Sequence, residues 1–330
     1  MKGYLIFAAK SFLRMLLLLL AVSAVTFALV SASPIDPLQQ NVGQAALGTM
    51  SQEQREKLET YWGMDTPPVE RYLNWLGAFL KGDMGTSLLY RRPVWEVIGE
   101  KLANSLLLMA VSWLLSGLLG LLLGIVAGAF AGKWPDRLIN GYSLLISSTP
   151  VFWLALLLLL VFAVWLKMFP IGLSVPIGME ASSVTWADRL YHAVLPAVAL
   201  SVTGTANITL HTRQKMLEEL SSDYMLYARA RGESRWTAIR RHGLRNILLP
   251  AMTLQFASVS EIIGGSVMVE QVFSYPGLGQ AAVTAGLGSD VPLLMGIVIV
   301  TAGIVFLGNW IADLLYRAVD PRMRAERRQP

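Results

Sequence analysis

The chain has 330 residues, no cysteine and a net charge of +5, with 54% hydrophobic against 15% charged side chains. Soluble domains carry about 25% charged residues, and here the charges cluster between long uncharged runs, which excludes an ordinary soluble domain. Without cysteine there is neither a disulfide framework nor a thiolate metal site, and the basic residues end apolar runs, where they orient a membrane protein instead of forming a nucleic-acid face.

The first uncharged run, 15–35, follows Lys2, Lys10 and Arg14. Ser31-Ala32-Ser33 resembles a cleavage site, but the run exceeds the roughly 7–15 residues of a signal core. Five more apolar runs follow, so a retained first span is expected.

Residues 33–101 are expected to form a small helical periplasmic segment. Ser51-x-x-Gln54 has the form of a capping box for a helix ending near Gly63. Pro67-Pro68 can open a second helix in which Tyr72, Trp75, Leu76 and Phe79 share a face, packed on the protein itself or on a partner.

Further spans are expected at 102–132, 139–166, 193–212, 247–269 and 291–312. In the second, Gly120, Gly124, Gly128 and Gly132 recur at four-residue intervals and let another helix approach closely. The fourth holds Ser201, Thr203, Thr205, Asn207 and Thr209, which a helix tolerates when it faces neighbours or a wet cavity.

Alternate connectors separate by charge. The N-terminus, the 133–137 turn, the 213–245 loop and the tail from Asp313 hold 18 basic and 8 acidic residues, against 9 and 13 on the opposite side. Since the cytoplasmic side carries the Lys and Arg excess, both termini are cytoplasmic. The chain then reads as an N-terminus with its first span (1–32), the periplasmic segment (33–101), a five-helix core (102–316) and a basic cytoplasmic tail (317–330).

Catalytic constellations are missing. Gly132-Lys133 is the nearest approach to a phosphate cradle, but Ala127 stands where its first glycine belongs and Trp134 where a hydroxyl would bind magnesium. His192, His211 and His242 are too scattered for a zinc helix, and the run from Gly264 to Met268 lacks the last glycine of a nucleophile elbow. No metal site and no cofactor are expected, so any energy source belongs to a partner.

The loop 213–245 is patterned where a linker would be irregular. Ala228-Arg229-Ala230-Arg231 favours helix, Gly232 permits a break, and Trp236, Ile239 and Leu244 give an apolar edge among arginines. Two short helices meeting at a glycine would make an amphipathic knob below the membrane. It suits either anionic lipid headgroups or a cytoplasmic motor whose motion it passes to spans four and five.

Asp223-Tyr224, the run from Ala228 to Gly232, His242, Leu244-Arg245-Asn246 and Pro250 resemble the coupling loop of binding-protein-dependent ABC permeases of the dipeptide, oligopeptide and nickel branch. Trp75-Leu76 with Gly82-Asp83-Met84-Gly85, Pro150-Val151-Phe152-Trp153, the segment from Glu270 to Gly279, and Asp313 to Tyr316 with Asp320-Pro321-Arg322 extend the resemblance over nearly the whole chain. No glutamate precedes Ala228, unlike the general importer motif, and the peptide and nickel branch commonly lacks it as well.

The resemblance implies an all-α integral membrane protein of the bacterial inner (cytoplasmic) membrane, with six transmembrane helices in the type I importer fold. It implies a second homologous permease, two cytoplasmic ATP-binding subunits and an external substrate-binding protein as partners, in addition to membrane lipid. Ala228, Arg229, Ala230, Arg231, Gly232, Arg241, His242 and Arg245 then belong to the loop that engages an ATPase. The implied function is a translocation pathway for peptides, nickel or a metal chelate. The contrasting reading is an ion-coupled secondary carrier, which calls for internal repeats, broken helices in matching positions and ion-coupling charges near the midplane; this sequence offers one intramembrane carboxylate and no repeat.

Glu261 is the single charge inside the fifth span, about 21 Å along it and so expected in the outer half of the membrane. A carboxylate facing lipid there is costly, so it either fixes helix contacts or lines the pathway for a cationic cargo, with Ser258, Gly265 and Met268 on the same face. The Glu261-Ile262-Ile263-Gly264-Gly265 run resembles nickel-type members more than many peptide-type ones.

Overall fold

The computed structural model describes residues 2–33, 37–62, 65–176, 178 and 184–319. Gly63, where the first external helix was expected to end, and the basic tail from Asp320 lie outside them. Among the described residues fifteen α-helices follow one another. The chain opens with α1 (Lys2–Ser31), α2 (Pro37–Val42), α3 (Gln44–Thr49), α4 (Gln52–Tyr61) and α5 (Pro68–Leu80). Next come α6 (Val94–Ala129), α7 (Trp134–Ser147), α8 (Val151–Leu158), α9 (Trp186–Leu220), α10 (Asp223–Ala230) and α11 (Arg235–Ala238). The last are α12 (Leu244–Ala257), α13 (Val259–Val272), α14 (Leu278–Leu287) and α15 (Val291–Val319). Two π-helical turns, Leu159–Trp165 and Ile239–Gly243, continue α8 and α11. Among the described residues the only β pairing is an isolated bridge between Thr86 and Pro93.

Among the described residues four helices are long and apolar enough to cross a membrane, and the count reaches six when each of two bent pairs is one span. The bends depart from the straight spans expected. The third span is α7 and α8 meeting at 109°. Pro150 supplies no N–H to close the turn there, and the Ser147 and Ser148 hydroxyls donate to the Leu144 carbonyl and Thr149 to that of Leu145. The fifth is α12 and α13, bent by 48° at Ser258.

The chain forms two compact units, 1–105 with 276–306 and 106–275 with 307–330. In the first, Ser51 and Gln54 form the reciprocal capping box that opens α4, and Pro68 stands in the first turn of α5. The front of α6, α14 and the front of α15 bury Val94, Val97, Leu278, Ala285 and Leu293 together. Asp290, fully buried, accepts from Ser87 Oγ at 2.5 Å, the Leu89 N–H at 3.0 Å and the Leu293 N–H at 3.2 Å. It therefore joins the loop before α6 to the first turn of α15.

In the second unit α9 is central, with 61% of its apolar window buried against 11% for α1. This burial accounts for its hydroxyls, which close local bonds: Ser201 donates to the Val198 carbonyl and Thr205 to that of Ser201. Three of the four spaced glycines make the close approach. A Cβ on Gly120, Gly124 or Gly128 would fall within 2.7 Å of the Ile208, Thr212 or Met216 side chain of α9. Gly132 does something else: with φ of +77° it makes the turn into α7.

Candidate functional site

The loop below α9 folds as helix, glycine, helix. Gly232, at φ +88°, ends the turn after α10, and Ser234 Oγ accepts from the Thr237 N–H to start α11. Met225 and Ala228 of α10, Ala238 at the end of α11, Ile239 just after it, and Ile247 of α12 bury against Met216 of α9 and Ile125 and Ala129 of α6. The knob thus shares a core with the cytoplasmic ends of three membrane helices.

Polar contacts hold the same ends. The Glu219 carboxylate, at the end of α9, accepts from Tyr224 Oη of α10 and from Asn246 Nδ2 of α12 at 3.3 Å, with Lys215 Nζ 3.7 Å away. Asn246 also donates to Tyr224 Oη at 2.9 Å. On the other side of α9, Arg213 pairs with Asp136 of α7, which also accepts the Gly132 N–H at 2.8 Å.

The residues singled out in the loop separate into two groups. Arg229, Ala230, Arg231, Gly232, Arg241, His242 and Arg245 are exposed, whereas Ala228 is buried and supports the knob from inside. His242 lies 3.3 Å from the Glu233 carboxylate, which joins the second helix to the turn after the first.

Leu226, Tyr227 and Trp236 complete the exposed surface, at 50%, 66% and 49% exposure, with the Arg231 guanidinium 5.9 Å from the Tyr227 ring. Leu226 and Tyr227 were not singled out from sequence. They turn outward only once Met225 and Ala228, three residues apart, are buried against α9 and α6, which no local signal specifies.

Ser258 stands at the break between α12 and α13, and its Oγ donates to the Gln255 carbonyl at 2.8 Å. That carbonyl also accepts from Trp113 Nε1 of α6 at 2.8 Å, and Gln255 Nε2 donates back to the Trp113 carbonyl at 2.5 Å. Glu261 therefore occupies the first turn of a new helix and not a point along a straight one. It is exposed, as is Met268, while Ser258 is half-buried. Among the described residues no hydrogen bond or ion pair joins Glu261 to another side chain, so contacts within this chain do not account for it.

Among the described residues, four to six apolar helices able to cross a membrane, with a packed amphipathic knob joined to α6, α9 and α12, suit a membrane permease subunit. The chain belongs to the family of binding-protein-dependent transport system inner membrane components, whose model matches residues 120–325, with the model for the family's N-terminal part matching 4–109. It is 36% identical over 309 residues to the oligopeptide transport system permease protein AppB of Bacillus subtilis, covering 93% of this chain and 95% of that one. The dipeptide transport system permease protein DppB of Escherichia coli is 30% identical, with 92% and 94% covered. The MetNI methionine ABC transporter, solved in inward-facing conformations, shares the fold at a TM-score of 0.56 and 17% identity, over 68% of this chain and 97% of that one. The protein is accordingly a multi-pass inner-membrane permease subunit of an ABC importer, a transport component whose family works with ATPase and substrate-binding partners.

Proposed function

We propose that this subunit pairs with a second, homologous permease to import peptides, driven by two ATPases that grip the 213–245 knob. The single observation that carries the coupling is the continuity of the knob with the spans. Its outer surface offers Leu226, Tyr227 and Ala230 among exposed arginines, while its inner surface shares a core with α6, α9 and α12. An ATPase cleft that closed on that surface would displace α10, and the Glu219 contacts would carry the displacement to α9 and α12 together. Because α9 is 35 residues long, about 50 Å, its far end moves with the near one.

Peptide cargo follows from the relatives, which are named for oligopeptide and dipeptide transport. Glu261, without a side-chain partner among the described residues and placed after the break at Ser258, is suited to meet the amino group of a passing peptide, with Ser258 and Met268 on the same side.

The test is reconstitution of the chain with its second permease, ATPases and binding protein in liposomes. Tyr227→Asp should lower ATP-driven peptide uptake at least about tenfold, the effect of roughly 1.4 kcal/mol of lost docking energy, with insertion unchanged. Wild-type uptake by that variant would remove the knob from the coupling path. Glu261→Gln should slow peptide import, and an unchanged rate would take Glu261 out of the pathway. Uptake of nickel in place of peptides would overturn the cargo.

A further inference from the structure

The external segment contains a helix that the transport role does not use. α5 packs along α1, whose apolar span runs from Lys10 to Ser31 with its outer end at Ser31. Arg71 Nη2 donates to Ser31 Oγ at 3.2 Å, and the guanidinium lies 5.2 Å from the Phe27 ring centroid. Its neighbour Tyr72 reaches the other way. The Tyr72 hydroxyl is 2.9 Å from Ser23 Oγ, and its ring is 5.3 Å from that of Phe27. Ser23 lies eight residues inside the end of the span, about 12 Å along the helix. A helix whose adjacent side chains touch Ser31 and Ser23 runs at the depth of the outer acyl chains, with the arginine extended toward the headgroups as long cations do at that boundary.

The rest of α5 fits that depth. At about 100° per residue, Tyr72, Trp75 and Phe79 share the aromatic face, with rings stacked 6.1 and 5.4 Å apart. Val69, Leu73 and Leu80 fall in an adjoining sector about 40° wide, and they are 72%, 58% and 77% exposed. Glu70 and Asn74 occupy a third, polar sector, also exposed. Such a distribution, apolar through nearly half the circumference with Glu70, Asn74 and Arg71 on the remainder, suits a helix lying in a membrane interface. Trp95, 66% exposed at the outer start of α6, agrees with an aromatic belt at the same level.

We infer that α5 is an outer-leaflet helix, with Val69, Leu73 and Leu80 immersed in lipid hydrocarbon and Glu70 and Asn74 turned to the headgroups. The occupant of the apolar stripe is lipid, continuous with the lipid around the largely unburied α1. The helix thereby anchors the external segment to the bilayer just before the chain re-enters it through α6.

The absence of native cysteine makes the test direct. Leu73→Cys, Leu80→Cys and, in α4, Lys57→Cys are labelled with a small fluorophore in the full chain, assembled with its partner subunits in liposomes. Labels at 73 and 80 should lose about half their emission in lipid brominated at shallow acyl positions, and little to aqueous iodide; the label at 57 should do the reverse. Val69→Cys gives an independent reading should either leucine variant fail to assemble. Iodide quenching at 73 and 80 equal to that at 57 would overturn the inference in favour of a water-facing helix. Shielding from both quenchers would overturn it in favour of a protein partner on the stripe.

Discussion

Arg213 holds Asp136 through two parallel hydrogen bonds, Nε to Oδ1 at 2.5 Å and Nη2 to Oδ2 at 2.9 Å. The pair joins the cytoplasmic end of α9 to the first turn of α7, and the Asp136 side chain is only 4% exposed. Removing one partner of such a pair leaves the other charge poorly solvated, at a cost on the order of 3 kcal/mol. Asp136→Ala should therefore lower the thermal unfolding midpoint of the detergent-purified protein clearly. Arg213→Lys should lower it too, because an ammonium cannot reproduce the planar fork. An unchanged midpoint in both variants would show that the pair contributes nothing to this junction.

The packing of α6 on α9 gives a graded prediction. A methyl on Gly124 would sit 2.5 Å from Thr212 Cβ and 2.8 Å from the Thr209 carbonyl, so neither neighbour can yield without moving the helix. Gly124→Ala should destabilise by about 1–3 kcal/mol, the usual cost of overpacking. Gly141→Ala meets nothing within 4 Å at a helical position of α7 and should be neutral or slightly stabilising. Gly132→Ala falls between them, through its positive φ alone. Measured stabilities in any other order would contradict this packing.

How far the sequence discloses this arrangement depends on the range of the interaction that sets each feature. The apolar runs, the Ser51 capping box and the close α6–α9 approach at Gly120, Gly124 and Gly128 are set by local patterns of hydropathy, spacing and hydrogen bonding, and they read directly. The 109° bend at Pro150 carries its own proline and Ser147-Ser148-Thr149 signal, yet the uncharged run from 139 to 166 reads as one span. The break at Ser258 has no such signal, because it is held by Trp113 of α6, 142 positions from Gln255. Likewise Glu219 reads as one more charge on a basic loop until Tyr224 and Asn246 are brought onto it. In the knob, helical spacing brought out the arginines and an apolar edge but left the burial of Ala228 unread. Its burial depends on α9 and α6, which no local pattern specifies.

That burial separates two neighbouring alanines. Ala228→Glu would drive a carboxylate into the cluster around Met216 and Met225, so the knob should unfold locally and become sensitive to protease. Ala230→Glu places the same group on an exposed position, so protease resistance should remain while ATP-driven uptake falls. If Ala230→Glu were cleaved as readily as Ala228→Glu, the exposed surface could not be tested apart from the fold.

Asp290 offers the corresponding test in the other unit. Three donors converge on its buried carboxylate, from Ser87 Oγ and the Leu89 and Leu293 N–H groups. Asp290→Ala would strand all three, and each buried donor without an acceptor costs about 1–3 kcal/mol. Asp290→Asn keeps one carbonyl oxygen but turns an amide toward the remaining donors, so it should recover only part of the loss. The loop from Asp83 to Pro93 should then exchange its amide hydrogens faster in both variants, most at Leu89. Protection of the Leu89 amide that survived Asp290→Ala would mean that the loop is held by its bridge between Thr86 and Pro93 and not by this carboxylate.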